Sequence, residues 1–259
     1  MEQGKKEKHR GVDVVVLMAG EGRRLLPLTK DRPKGLLCCD DGASIFTHMV
    51  QSFVVCHQDV TFIPVIGHGS AKVNEEINRL NHMAEFSCVY NPFYANSGPL
   101  VSLWLGLIQS KQSRVIIVNG DTLIKEDLVK NIVPWIQAEI KAVNPEVGLC
   151  VSSAENFEKD DMKVLLDNSG CFRKTGKDID TGRGVMKSAG VLCIRDIKSK
   201  NIIKDKLNQL LMEGNPLEKT YYWHNLLNEA AETFQVDLIS VDLNSWCEVD
   251  TLVDLKSMI

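Results

Sequence analysis

An arginine at position 24 and a lysine at position 34 sit in a stretch short of bulky side chains, "VVVLMAGEGRRLLPLTKDRPKGLL", running from Val14 to Leu37. It starts as a continuous apolar run and breaks at Gly20-Glu21-Gly22. Glycines at such a break let backbone N–H groups approach a ligand closely, and clustered amides form a cradle for anions. Arg24 adds a planar fork and Lys34 a compact point charge, two ways of holding phosphate. A plain strand-to-helix turn with solvated arginines would account for the glycines, but not for this spacing. Two common phosphate loops do not fit. Leu25 stands where a dinucleotide fingerprint needs a small residue, Pro27 forbids an immediate helix, and the Walker pattern G-x-x-x-x-G-K-[ST] is absent.

Two acids add to this constellation. Asp121 follows the apolar run "RVIIVNG" and Asp250 follows "SWCEV". Either alone reads as the cap of a following helix. Together, beside a phosphate loop, they suit Mg²⁺, which takes a few carboxylates and completes its shell with phosphate oxygens and water. Glu248 shares a face with Asp250 by the two-residue period of a strand.

The elements that must position these residues are legible as alternation. Strands are expected at "VDVVVLM", "VTFIPVIG", "FSCVY" and "RVIIVNGD". Between and after them come helices at "SIFTHMVQSFVVCHQ", "SAKVNEEINRLNHM" with Ser70 as N-cap, "PLVSLWLGLIQ" opened by Pro99, and "KEDLVKNIVPWIQAE". Continuous apolar strands separated by helices predict an α/β, doubly wound, mostly parallel sheet covered on both faces. The second half predicts a hairpin, "MKVLLDNSGCFRKTG", turning at Asn168-Ser169-Gly170. A strand "VMKSAGVLCI", helices "DKLNQLLMEG" and "YYWHNLLNEAAETF", a strand "QVDLISVDL" and a closing helix "TLVDLKSMI" follow. The expected organisation is one domain over 1–259, with a flexible tail over about 1–11 and a small β-rich flap over about 155–190. In such sheets ligands bind beyond the carboxyl ends of the strands. The glycine loop, "NPFYANSG", "NGDT" and "WCEVD" all fall there.

Bulk properties narrow the class. The 259 residues are 44% hydrophobic and 25% charged, enough for one large core. A net charge of −4 argues against nucleic acid or an anionic membrane as partner, so any anion must be held by a local cluster of cations. No apolar run has the length of a membrane span, and a cytosolic location is expected. Eight scattered cysteines without a C-x-x-C pair read as buried thiols, with no disulfide framework or structural zinc.

At Leu17–Leu37 the sequence resembles the nucleotidyltransferases that activate sugar phosphates and phosphocholine, whose loop is written G-x-G-x-R-L-x-P-L-T followed by P-K. The likeness continues through "NGDT" and "WCEVDT". It implies a Rossmann-like nucleotidyltransferase fold, with Leu17, Ala19, Gly20, Glu21, Gly22, Arg24, Lys34, Asn96 and Asp121 around the nucleotide. Arg24, Lys34, Asp121 and Asp250 are implied as catalytic, the two aspartates as ligands of Mg²⁺. Lys177, with Lys163 a weaker candidate, would hold the acceptor's phosphate, and Tyr222, Trp223 and Glu248 the rest of the acceptor. The segment "NPFYANSGPLVSLWLGL" is similar to the small cytidylyltransferases, and "YYWHNLLNEA" to those acting on phosphocholine. Tyr222 and Trp223 offer aromatic faces for a quaternary ammonium, whereas Trp104 reads as core. A primary amine, as in 2-aminoethylphosphonate, would instead use Asp160, Asp161 or Glu248. The expected partners are therefore CTP and a small phosphorylated or phosphono acceptor, with no nucleic acid or membrane and a homodimer left open. A sugar-1-phosphate nucleotidyltransferase is the alternative enzyme. A catalytically inactive scaffold would have lost a charge, and all four catalytic candidates are present.

Overall fold

The computed structural model describes residues 11–139, 146–213, 222–230 and 233–257. Apart from Gly11, the expected N-terminal tail lies outside these residues. At the centre is β1 (Val12–Leu17), whose side chains are buried on both faces from Val12 to Val16, as a covered strand requires, with Leu17 partly open at its carboxyl end. Parallel to it on one side run β2 (Val60–Ile66) and then the two-residue strands β3 (Glu85–Phe86) and β4 (Val89–Tyr90). The expected strand "FSCVY" is thus split into two short pairings with β2. On the other side lies β5 (Arg114–Asn119), again parallel.

Beyond β5 the sheet order continues β10 (Val185–Ile194), β7 (Glu146–Ser152) and β11 (Gln235–Ser240). β10 is antiparallel to both of its neighbours, β5 and β7, while β7 and β11 pair in parallel. The sheet is therefore mostly parallel with one reversed strand. The sequence reading had no strand at β7, although every residue of "EVGLCVS" is buried. The hairpin falls where expected, as β8 (Lys163–Leu166) and β9 (Phe172–Gly176), and hangs from β10 through β8.

Helices α1 (Ile45–Cys56), α2 (Ser70–Leu80), α3 (Pro99–Gln109), α4 (Glu126–Gln137), α5 (Ile197–Glu213), α6 (His224–Ala230) and α7 (Leu252–Ser257) complete the described elements. Two large apolar clusters, one on each face of the sheet, form the core. α1 and α4 contribute to one, α3, α5 and α6 to the other. Ser70 is the first residue of α2, whose cap position is taken by Gly69 at φ 62°. A left-handed cap there needs glycine, and a serine one residue later is already helical. No described helix is long and apolar enough to cross a membrane. All eight cysteines are free thiols.

Two small strands decide where the acids go. β6 (Thr122–Ile124), just past the end of β5, pairs antiparallel with β12 (Trp246–Glu248), and Glu248 faces Thr122 in the register. Val249 N then donates to Asp121 O at 3.0 Å. This pairing carries Asp250 to Asp121 across more than a hundred residues of chain.

Candidate active site

The cleft at the carboxyl ends of β1 and β5 has a volume of about 390 Å³. Its floor is the glycine loop. β1 ends at Leu17, and Ala19 to Gly22 turn over the sheet edge into a single helical turn at Arg23–Leu25. Gly22 adopts φ 60°, and a Cβ there would stand 2.8 Å from Lys34 Cγ, so both conformation and space call for glycine. Thr29 Oγ1 closes the loop by donating to Gly22 O at 2.8 Å.

Above this loop the charges meet. Lys34 Nζ donates to Asp121 Oδ2 at 3.0 Å and makes a short hydrogen bond to Asp250 Oδ1. Arg24 Nη1 donates to Asp250 Oδ2 at 3.1 Å and to Asp160 Oδ2, on the segment leading into the hairpin, at 2.6 Å. Burial works against both cations, but Asp121 and Asp250 outweigh it at Lys34, and Asp250 and Asp160 at Arg24. Both therefore sit above their ordinary pKa values. Burial would protonate Asp250, yet Lys34 and then Arg24 hold its carboxyl below the usual range. At Glu248 the balance reverses, because Lys34 and Lys177 act too weakly to offset its burial. Burial, with Asp121 and Asp250 adding repulsion, pushes its carboxyl up to about 8.

Two carboxylates that reach one ammonium are close enough to share a small divalent cation. Among the described residues no cluster of three or more acidic, histidine or cysteine ligands forms. A pair of aspartates fits Mg²⁺, whose other positions go to water and substrate oxygens. Asp121 and Asp250 are the residues that would hold it.

One wall of the cleft is the start of α3. Its cap, Gly98, has no side-chain hydrogen bond, and Ser97, Gly98, Pro99 and Ser102 face the cavity. Free N–H groups at a helix start favour an anion or a carbonyl oxygen. Asn91 braces this wall, donating to Ser102 Oγ at 3.0 Å and Ser97 Oγ at 3.3 Å while accepting from Phe93 N. Asn96, assigned to the nucleotide from sequence, is exposed and outside the cavity. The "NPFYANSG" loop turns Asn91, Tyr94 and Ser97 inward instead. The signal for Asn91 lay in its place directly after β4, at the carboxyl edge where the sheet binds ligands.

The opposite wall comes from β10, the hairpin and the start of α6. Lys177 and Tyr222 stand together there, the ammonium 4.6 Å from the ring centroid. Lys163 does not reach the cavity; it is 5% exposed and donates to the backbone O of Lys177 at 2.6 Å. Trp223 is among the residues lining the cleft, but it is 1% exposed, packed in the core and stacked on His224 with ring centroids 3.6 Å apart, so it shows the cavity little surface. Asp160 lines the cavity, whereas Asp161 is turned away into an ion pair with Lys187 at 2.7 Å. Trp104 lies outside the cavity, half-buried against the core with Nε1 donating to Asn208. Asn119, from the "NGDT" segment expected at the site, also lines this wall, with Met162, Ser188, Gly190 and His224. The last four had no individual role assigned, since they sit inside apolar or mixed runs that give no chemical signal on their own.

Arg24, Lys34, Asp121, Asp250, Lys177, Tyr222 and Glu248 thus share one cleft with the loop residues Leu17, Ala19, Gly20, Glu21 and Gly22. Against known proteins, a family model described as nucleotidyl transferase matches residues 13–145. No curated protein matches the chain by sequence. Several solved structures share the fold. One is the CTP:phosphocholine cytidylyltransferase of Streptococcus pneumoniae, with TM-score 0.72 and 16% identity over 96% of this chain and 97% of that one. The inositol-1-phosphate CTP transferase of T. maritima has TM-score 0.72 and 21% identity over 95% and 94%. A UDP-glucose pyrophosphorylase complexed with UDP-glucose has TM-score 0.72 and 14% identity over 95% and 96%.

Proposed function

This chain belongs to the nucleotidyl transferase family, and from that premise we propose that it is a Mg²⁺-dependent cytidylyltransferase. It would move CMP from CTP to a small phosphorylated or phosphono acceptor and release pyrophosphate. The observation that carries the reading is the shared ammonium of Lys34. One cation bonded to both Asp121 and Asp250, beside Arg24 and the glycine loop, is an arrangement for bringing anions together.

The reaction joins two anions. An oxygen of the acceptor's phosphate attacks the α-phosphorus in line, the bond to the bridging oxygen breaks, and pyrophosphate leaves with the electron pair. Arg24 and Lys34 offset repulsion in the triphosphate and the charge that grows on the leaving oxygen. Mg²⁺ on Asp121 and Asp250 would supply further charge neutralisation and a template for the phosphate oxygens. Lys177 would hold the acceptor's phosphate on the other wall. No general base is required, because a phosphate monoester with a second pKa near 6 is largely ionised at neutral pH.

CTP is carried by the sequence resemblance. The acceptor is open to a second reading, which the aromatic rings favour. A quaternary ammonium needs an open aromatic face. Tyr222 lies under Lys177, Trp246 lies under Lys187 at 5.5 Å, and Trp223 is stacked on His224. Phosphocholine would have to displace Lys177 from Tyr222 or use the other face of that ring. An acceptor held by hydrogen bonds, an aminoalkyl phosphonate or a hydroxylated phosphate such as a sugar-1-phosphate, needs no such change.

The test is pyrophosphate release from CTP, UTP, dTTP and ATP, each paired with phosphocholine, 2-aminoethylphosphonate, glucose-1-phosphate and inositol-1-phosphate. Turnover with CTP and one acceptor class supports the proposal; no turnover with any pair removes it. Asp121→Asn is nearly isosteric and is expected to keep the fold while lowering kcat by about 100-fold or more, on the scale of losing one charge-stabilising group. Circular dichroism beside the activity assay checks both halves, and retained activity would dismiss the metal role.

A further inference from the structure

Asn119 is the last residue of β5 and lines the cleft on the side of β10 and α6, where Lys177 and Tyr222 stand. Its Oδ1 accepts from Trp223 Nε1 at 2.9 Å. An indole nitrogen donates and cannot accept, so this bond fixes which way the amide is turned, with its NH₂ away from the ring. Trp223 is fully packed in the core and cannot swing aside, so the amide is held.

The other side of the amide is shaped as well. β10 shifts register against β7 between Ser188 and Leu192, and within that irregularity Gly190 adopts φ 68°. A Cβ on Gly190 would stand 2.8 Å from Asn119 Nδ2. Glycine therefore satisfies the backbone and leaves room for the amide. Neighbouring Ser188 Oγ is already engaged, accepting from Gly190 N at 3.2 Å and bonded to His224 Nε2 at 3.0 Å. Among the described residues, Asn119 Nδ2 donates to no protein group. Asn119 and Gly190 both line the acceptor half of the cleft, so this held amide donor lies at that wall.

We propose that Asn119 is a specificity-determining residue whose amide donates a hydrogen bond to an oxygen that the acceptor carries beyond its phosphate, such as a hydroxyl. The inference rests on the transferase reading above and narrows its acceptor to hydroxylated phosphomonoesters. Discrimination follows from the built donor. An acceptor ending in trimethylammonium, or in an alkylamine without oxygen, leaves that N–H unpaired in a desolvated site, and hydrogen-bonding sites reject ligands chiefly by this penalty.

The experiment measures kcat and KM for the wild type, Asn119→Leu and Asn119→Ser. The acceptors are glucose-1-phosphate, inositol-1-phosphate, phosphocholine and 2-aminoethylphosphonate, with the best triphosphate. The wild type is expected to favour a hydroxylated acceptor. Both variants are expected to lose about 10- to 100-fold in kcat/KM for it, through the acceptor's KM, as deletion of a partner to a buried group implies. The KM of the triphosphate and the values for the two acceptors without hydroxyls should hold, so the preference collapses. A merely structural role would lower all acceptors alike. Equal losses throughout, no loss, or a wild type that prefers phosphocholine or 2-aminoethylphosphonate overturns the inference and leaves the transferase reading standing. No turnover with any pair overturns both.

Discussion

Lys163 shows how a residue outside the cleft can act inside it. It is 5% exposed, and its ammonium is spent on the backbone carbonyl of Lys177 at 2.6 Å. The preceding strand is clamped too: Asn228 on α6 accepts from Thr175 N at 2.7 Å and donates to Thr175 O at 2.8 Å. Lys177 therefore leaves β9 from a fixed point. Lys163→Met removes that anchor and is expected to raise the acceptor's KM by about 5- to 10-fold, the scale of one hydrogen bond from a charged donor. The KM of the triphosphate should stay within about twofold, since the nucleotide wall is built from other elements; Lys163→Gln, which keeps a donor, should recover part of the loss. Steady-state kinetics with each substrate varied separately gives the answer. Rises in both KM values would mean a general disturbance. The family resemblance pointed to Lys177, a lysine just after the hairpin, and the structure puts it on the cleft wall. It could not identify Lys163 as its support, since that role depends on which carbonyl the side chain meets. Asn96 was preferred to Asn91 for a similar reason: both are asparagines of one loop, and the cue for Asn91, its place directly after β4, is visible only once the short strand is known.

Elements were legible where periodicity and length were strong, and not where pairing decides. The long apolar strands, the hairpin and α3 with its opening proline stand where the pattern put them. β6 and β12 are three residues each, too short for any period, yet their antiparallel pairing is what joins Asp121 to Asp250. β10 reads as one more strand, and nothing in its composition says that it runs against its neighbours. Packing between elements hides in the same way, as α3 illustrates. Gly106 faces β1, and a Cβ there would stand 2.3 Å from Val15 Cγ1, on a branched side chain that is itself wholly buried. Alanine in a helix interior normally gains about 1 kcal/mol over glycine. Overpacking a rigid core costs about 1–3 kcal/mol and here should win. Gly106→Ala is thus expected to lower stability by up to about 2 kcal/mol, a fall in Tm of up to about 6 °C. A thermal melt that rises instead would show that α3 can lift from the sheet at no loss.

At the scale of the whole molecule, one buried ring ties the site to global stability. His224 begins α6 with 3% exposure, stacked on Trp223 and bonded through Nε2 to Ser188 Oγ at 3.0 Å. Burial, with the nearby charge of Lys177, pushes its pKa down to about 3 from the ordinary 6.5. The sign of the linkage follows from proton uptake. Above pH 6.5 neither folded nor unfolded chain holds a proton on this ring. Below it the unfolded chain takes one up and the native chain does not, so stability falls with pH until about 3. At about 1.36 kcal/mol per unit, the interval from pH 6.5 to 5 removes about 2 kcal/mol. His224→Gln keeps a polar partner for Ser188 but has nothing to titrate. Acidic groups such as Asp250, with its lowered pKa, also weaken the fold in acid, but they are common to both proteins and drop out of the difference. Unfolding free energies from urea melts at pH 7.5, 6.5 and 5 should therefore fall faster for the wild type, by about 2 kcal/mol over the last interval. Parallel curves would mean that the ring finds a proton without unfolding, and that the floor beneath Asn119 and Lys177 opens more readily than its packing implies.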